Sequence, residues 1–293
     1  MNHRFPIHLA LSLLVLFPSC GKTQDTRPVP TPDSSAHRAV DTTNLSREKR
    51  ELLRMLDQVR RTVGRPSDTL DAERMVVSTY ASFHALFALA RAWDRDGAWK
   101  EQIDTRYRTF LHEDSLRRGQ DGKIINGMLG IHEMLQTLYS MRYSGDERRM
   151  SVIDTMDRRL SRLSTRRVQG MEFIAQLAED IYVLTKGIFE DLDRNHVYEE
   201  HLRQIDQSFS EGLKAAESEE DRFLNGMYRT FEVCQLWALS YDPAKRGELQ
   251  EVYKRMIGET TRREGIGHQM ATATEFLYHI LDRIAASVIQ GAS

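Results

Sequence analysis

The sequence predicts an all-α domain built from about five stacked helical hairpins. Proline is confined to Pro66 and Pro243 between residues 45 and 293, which favours long helices because proline interrupts them. Apolar residues recur there at three-to-four spacing, without the alternating β-branched runs of strands. A short pattern also repeats along the chain, which is typical of stacked supersecondary units.

The repeat is clearest in two segments, Ile125–Met128 and Leu224–Met227, which read Ile-Asn-Gly-Met and Leu-Asn-Gly-Met. Both are followed by Glu five residues and Gln eight residues after the methionine. More divergent copies are centred on Met75, Met171 and Met270, which gives a mean step of about 49 residues. We interpret Asn-Gly-Met as a helix start, where Asn caps the helix and Gly permits close approach.

Charged amphipathic segments lie between these copies, with apolar stripes such as Leu52, Leu56 and Val59. Each unit therefore reads as a charged outer helix followed by a more apolar inner helix. A single hairpin cannot bury its inner helix, so neighbouring hairpins must pack side by side. The spacing resembles that of α/α-toroid proteins, which usually close with six or seven hairpins. With five, we expect an open superhelix or a partial α/α toroid.

The inner helices carry two kinds of position when they are aligned on their methionines. Residues three, six, seven and ten positions later are mostly apolar, as at Ile131, Met134 and Leu138, and we expect them in the core. Residues five and eight positions later share one helical face, and we call them the row. Its members are Tyr80, Phe83, Glu133, Gln136, Gln176, Glu179, Glu232, Gln235, Glu275 and Tyr278. We expect the row to line a concave ligand-binding surface, as in other helical-repeat proteins.

Three functions fit such a row. The first is binding of a glycan, a peptide or an envelope protein through the inner-helix face. The second is glycoside hydrolysis, in which two carboxyl groups serve as acid and base or nucleophile, and several α/α-toroid families act on carbohydrates. The candidate catalytic residues are then Glu133, Glu179, Glu232 and Glu275. The third is a scaffold of an envelope complex, because a residue repeated in every unit often serves a repeated structural task.

Composition and motifs argue against several other classes of function. The formal net charge of -2 offers no basic excess for nucleic acid. We expect no cofactor, because no phosphate-binding Gly-rich loop or dinucleotide fingerprint is found, and no metal, because the histidines lack ligand spacing. Cys234 lies in an apolar helical segment and is expected to be a small core residue.

The N-terminus has the pattern of an export signal. One firm positive charge, Arg4, precedes the mostly apolar segment Ile7–Phe17, which is too short to span a bilayer. The segment then ends at Ser19-Cys20-Gly21, which resembles the lipobox of bacterial lipoproteins. That resemblance implies cleavage before Cys20 and acylation of its thiol, and Gly21 favours the outer membrane. An ordinary cleaved signal with an unmodified cysteine is the alternative.

The domain boundaries follow from these observations. Residues 1–19 are the predicted signal peptide, and residues 20–44 combine the lipidated Cys20 with a tether rich in Pro, Thr, Ser and Asp. Such a segment contains too few apolar residues to repay the entropy of ordering. Residues 45–293 are the predicted helical-repeat domain. The expected partners are therefore the membrane, through the N-terminal lipid, and an envelope ligand.

Replacing Cys20 with Ala is expected to release the protein from the membrane fraction of an expressing bacterium. The lipid chains provide the affinity, roughly 0.8 kcal/mol for each buried methylene group, and the variant has no thiol to accept them. The measurement is metabolic labelling with an alkyne fatty acid, combined with membrane fractionation. Cys234→Ala is the control and should label as wild type does. Labelling of Cys20→Ala equal to that of wild type would show that Cys20 does not carry the lipid.

Overall fold

The computed structural model of the protein describes residues 45–63, 70–165, 170–241, 246–261 and 265–291. The predicted signal peptide, Cys20 and the tether lie outside the described residues. Within them the chain forms ten α-helices and no strand, which confirms the all-α class. The helices are α1 (Arg47–Val63), α2 (Asp71–Trp93), α3 (Lys100–Leu116), α4 (Gly119–Tyr143), α5 (Glu147–Thr165), α6 (Met171–Leu192), α7 (Glu199–Ala215), α8 (Glu219–Tyr241), α9 (Arg246–Thr261) and α10 (Ile266–Gln290).

The odd-numbered and even-numbered helices form two layers. The odd-numbered helices are 16 to 19 residues long, and each packs on the even-numbered helix that follows it in the chain. The even-numbered helices are 22 to 25 residues long and bury about half or more of their residues. The five repeat methionines all lie on these inner helices. Each hairpin therefore places a charged helix outside and an apolar helix inside.

The inner helices form a closed ring. Each packs against the next in the order α2, α4, α6, α8, α10, and α10 then makes the most extensive helix–helix contact of the described residues with α2. Ion pairs cross this seam, between Arg74 and Glu275 at 2.8 Å and between Arg60 and Asp282 at 2.8 Å. The expectation of an open superhelix is therefore corrected, because the first and last hairpins pack against each other.

Apolar side chains fill the interior of this ring. The predicted core positions are buried, and they include Ile131, Met134, Cys234 and Trp237. Trp93 of α2 meets Trp237 of α8 with ring centroids 5.5 Å apart, although these two helices are not neighbours in the ring. The inner helices thus enclose a packed core, and the concave surface expected from the sequence is occupied by apolar side chains.

The Asn-Gly-Met motif lies inside the inner helices, so its interpretation as a helix start was wrong. Asn225 Nδ2 donates to the carbonyl oxygen of Phe209 at 2.9 Å, and Asn126 Nδ2 bonds the carbonyl oxygen of Phe110 at 3.5 Å. Each Asn thus fastens its inner helix to the outer helix of the same hairpin. The glycine that follows touches the neighbouring inner helix, since a Cβ on Gly226 would lie 2.8 Å from the backbone of Ala178. The motif joins one hairpin to the next.

The substitution Gly226→Ala is expected to lower the free energy of unfolding by about 1 to 3 kcal/mol, because the added methyl group collides with the backbone of α6. Gly122→Ala is the matched control in α4, where the new Cβ would meet Arg117 at an ordinary 3.7 Å. That variant should be neutral or more stable by up to about 1 kcal/mol, because alanine favours helix. Urea unfolding measures both. Equal stabilities would contradict the close approach of α6 and α8.

Candidate functional site

Several members of the row contact the outer helices. Gln136 Nε2 donates to Asp157 of α5 at 2.7 Å, and Gln235 Nε2 donates to the carbonyl oxygen of Leu249 in α9 at 3.0 Å. The Tyr80 hydroxyl donates to Asp114 of α3. The expected placement on a concave surface is therefore corrected. A closed ring directs its apolar face inward, which leaves the polar face of each inner helix to meet the outer layer or a neighbouring inner helix.

The aromatic members of the row belong to the packed layers. Phe83 is buried and stacks on Phe110 of α3 with centroids 3.8 Å apart. Tyr278 is buried, and its hydroxyl has no hydrogen-bond partner among the described residues. Burial raises the pKa of Tyr278, and it raises that of Tyr80 to about 12. Phe83 and Tyr278 therefore offer no exposed face for stacking on a ligand, whereas Tyr80 is partly exposed.

The four candidate catalytic glutamates each have an arginine partner. The pairs are Glu133 with Arg106 at 3.3 Å, Glu179 with Arg222 at 2.6 Å, Glu232 with Arg229 at 2.6 Å and Glu275 with Arg74 at 2.8 Å. Glu232 also accepts a hydrogen bond from the Tyr253 hydroxyl of α9 at 2.7 Å. Polar interactions with His279 and Arg74 lower the pKa of Glu275 to about 2, against the effect of burial. The repeated glutamates thus share a structural task, which is to pair arginines between or along helices.

Row residues gather with other polar groups where α4, α5 and α6 meet. We call this cluster the polar junction. Its members are His132, Glu133 and Gln136 of α4, Asp157 and Arg159 of α5, and Gln176, Glu179 and Asp180 of α6. Glu232, Gln235 and Glu275 form other contacts around the ring. The structure therefore brings together only part of the row.

Asp180 lies at the centre of the polar junction and is 1% exposed. Its Oδ1 accepts hydrogen bonds from Arg159 Nη2 at 2.8 Å and from Gln176 Nε2 at 3.0 Å. Its Oδ2 faces His132 Nε2 at 3.8 Å, and His132 is 2% exposed. Neither of these two facing atoms has a hydrogen-bond partner. The junction thus contains a carboxyl group and an imidazole whose facing atoms make no hydrogen bond. Buried polar atoms rarely lack a hydrogen bond.

Sequence reasoning missed this pair, although a signal existed. Asp180 lies nine residues after its repeat methionine, where the other inner helices carry His84, Thr137, Leu236 and His279. It is the one acidic residue at that position. His132 lies four residues after its methionine, where the other four helices carry Thr, Ala, Phe and Thr. A break in the repeat, rather than the repeat itself, marked the pair.

The protonation states of the pair follow from burial. Desolvation raises the pKa of Asp180 to about 7, although Arg159 and Gln176 act to lower it. Desolvation also lowers the pKa of His132 to about 4, and the positive charges of Arg106 and Arg159 add to this effect. Between these values the folded pair holds one proton, on the carboxyl group. The unfolded chain also holds one proton in much of that range, but on the imidazole.

Comparison with known proteins gives no relative from which a role could be transferred. No protein-family model, no curated protein and no solved structure matches the chain. Among the described residues, no helix is both long and apolar enough to cross a membrane. The same residues include no group of three or more His, Cys, Asp or Glu side chains arranged to hold a metal ion.

Substitutions of Asp180 and of His132 should change the free energy of unfolding, relative to wild type, with opposite dependence on pH. The folded state binds the Asp180 proton more tightly than the unfolded state, so this group makes stability fall as pH rises from 3.8 to about 7. It binds the His132 proton less tightly, so that group makes stability rise from about pH 4 to 6.5. In wild type the two contributions oppose each other.

Asp180→Asn removes the group that makes stability fall as pH rises. The free energy of unfolding of this variant, relative to wild type, should therefore rise with pH across this window. His132→Gln removes the group that makes stability rise with pH. The free energy of unfolding of this variant, relative to wild type, should therefore fall as pH rises. Each slope has an upper limit of about 1.4 kcal/mol per pH unit. Urea unfolding between pH 4.5 and 6.5 measures both variants. Slopes of the same sign would contradict the proton assignment.

Proposed function

We propose that the chain is a lipid-anchored protein of the bacterial envelope that binds a peptide, protein or glycan ligand at the polar junction. The observation that carries the proposal is the buried, unpaired contact between His132 Nε2 and Asp180 Oδ2. A buried polar atom without a partner costs about 1 to 3 kcal/mol. Perturbed, unsatisfied groups of this kind cluster at functional sites.

A ligand would reach the junction from its rim. The side chains of Glu133, Arg106 and Arg159 are 33%, 43% and 44% exposed. They offer both hydrogen-bond donors and acceptors next to the buried groups. A rim of mixed charge above a polar floor suits a ligand with several polar groups. This favours binding by hydrogen bonds and ion pairs over burial of an apolar ligand.

The contacts of the glutamates support binding over glycoside hydrolysis. An acid/base carboxyl group must exchange a proton with the substrate, and its partner carboxyl group must stand at a suitable distance across the bond. The four glutamates instead pair with arginines, and they do so at different places around the ring. These pairs favour a structural role for the repeated glutamates in general. We assign ligand binding to the polar junction, where His132 and Asp180 break the repeat and Glu133 lies beside them.

The predicted lipid anchor and tether at the N-terminus are consistent with a binding role. A lipid on Cys20, followed by a tether over residues 20–44 that is rich in Pro and Thr, would hold the helical domain near the membrane. A tether of this composition lets the domain search a volume around its anchor. Binding of an envelope ligand then takes place at a raised effective concentration.

A matched pair of variants tests the proposal. Glu133 and Glu232 occupy the same repeat position, but only Glu133 belongs to the polar junction. The mature protein is titrated with peptidoglycan fragments, envelope glycans and synthetic peptides, with binding followed by calorimetry. Glu133→Gln is expected to weaken binding about tenfold, the effect of losing one charged hydrogen bond.

Glu232→Gln is expected to keep wild-type affinity while losing stability, because Arg229 and Tyr253 lose their carboxylate partner. Equal affinities of wild type and Glu133→Gln for every ligand that binds would place the site elsewhere. A panel from which nothing binds would contradict the proposed binding role for these ligand classes.

A further inference from the structure

We propose that Asp180 is the recognition site for a basic side chain of a partner peptide, and that Arg159 holds this place until the partner displaces it. The inference rests on the proposed function, because it names a ligand class for the same polar junction. It is based on the contact between the buried carboxyl group of Asp180 and the partly exposed side chain of Arg159, which covers it.

Few contacts hold the Arg159 side chain in its position. Its side chain is 44% exposed, whereas that of Asp180 is 1% exposed. The bond from Nη2 to Asp180 Oδ1 at 2.8 Å is its one hydrogen bond to a described residue. An exposed arginine can rotate into solvent without disturbing the helix that carries it. A single rotamer change would thus open a path to a buried carboxyl group.

Among the described outer helices, α5 also makes the least extensive contact with the inner helix of its own hairpin. Helices α3 and α7 insert Phe110 and Phe209, which stack on Phe83 and Tyr182. Helix α5 contains no aromatic residue and buries Ile153 and Met156. Small adjustments of α5 around an incoming side chain therefore disturb little apolar packing.

The groups around the vacated position select a cation. Asp180 is flanked by Glu179 and Asp157, whose negative charges oppose its ionisation. The negative charges of Glu179 and Asp157 would thus attract a positive group in place of Arg159, and that group would favour ionisation of Asp180. The Gln176 amide would still donate to Oδ1.

A guanidinium group fits better than an ammonium group. Arg159 reaches only Oδ1, and Oδ2 has no hydrogen-bond partner. A guanidinium group that approaches face to face can donate two parallel hydrogen bonds to the two carboxylate oxygens. An arginine side chain of a partner would therefore satisfy both atoms, which the tethered Arg159 does not. The ligand class is an arginine-bearing peptide.

The experiment replaces the arginine by a small cation. The mature protein with Arg159→Ala is titrated with methylguanidinium, methylammonium and sodium chloride at equal millimolar concentrations. Dissociation constants are measured by NMR or by thermal stabilisation. Arg158→Ala is the control, because Arg158 is exposed on the same helix and bonds only Thr155 among the described residues.

Methylguanidinium is expected to bind Arg159→Ala at least about tenfold more tightly than it binds wild type or Arg158→Ala. Methylammonium should bind more weakly, and sodium chloride should have no specific effect. Adding Asp180→Asn to Arg159→Ala should abolish the gain. Equal binding by Arg159→Ala and Arg158→Ala would overturn the inference, as would a gain that survives Asp180→Asn. Arg159→Gln replaces Arg159→Ala if that variant does not fold.

A second arm identifies the source of the cation. N-acetylarginine amide, which presents the side chain in a peptide context, should bind Arg159→Ala more tightly than spermidine does. Tighter binding of spermidine would overturn the assignment to a peptide. These probes contain no envelope ligand. A positive result together with failure of the ligand panel would thus refute the proposed function while leaving the cation site intact.

Discussion

The close approach of five inner helices around a closed ring is the constraint on which the rest of the structure depends. Gly127 and Gly226 permit this approach, because a Cβ at either position would overlap the neighbouring inner helix. Once the ring closes, its interior accepts mainly apolar side chains and a few small hydroxyl groups such as Ser78 and Ser82. The larger polar side chains of the inner helices then face an outer helix or a neighbouring inner helix. There each carboxylate needs a counter-charge. The recurring glutamate–arginine pairs are therefore a consequence of closure, since unpaired charges at these half-buried positions would be costly.

The polar junction departs from this arrangement because its central carboxyl group is too deeply buried for one exposed arginine to satisfy it. Burial keeps the proton on Asp180 and off His132, so the pair is neutral and yet lacks a hydrogen bond at 3.8 Å. A small movement would let the carboxyl group donate to the imidazole, whereas a bound cation would ionise it. The same pair can thus be stabilised in two ways, and the choice between them depends on what occupies the position of Arg159.

Much of the fold could be predicted from the sequence, because hairpins are encoded locally. Helical periodicity and the repeat methionines placed five inner helices, and the burial of Ile131, Met134 and Cys234 followed from their repeat positions. Ring closure could not be predicted, because it depends on the rotation between successive hairpins, which no local pattern encodes. The orientation of the row could not be predicted for a related reason. A polar stripe opposite an apolar face is compatible both with an open groove and with contact to an outer helical layer. Asp180 and His132 come from different helices, so their meeting required the register between α4 and α6.

Closure also determines when the protein can finish folding. Arg74 and Glu275, which pair across the seam, are 201 residues apart in the chain. In an open array, each hairpin can fold against the one before it as the chain emerges. Here one side of the first hairpin has no packing partner until the last hairpin folds against it. Such long-range closure slows folding. For the exported protein that we propose, this delay would be an advantage, because the most extensive contact among the described helices forms only after the C-terminal helix has followed the rest of the chain.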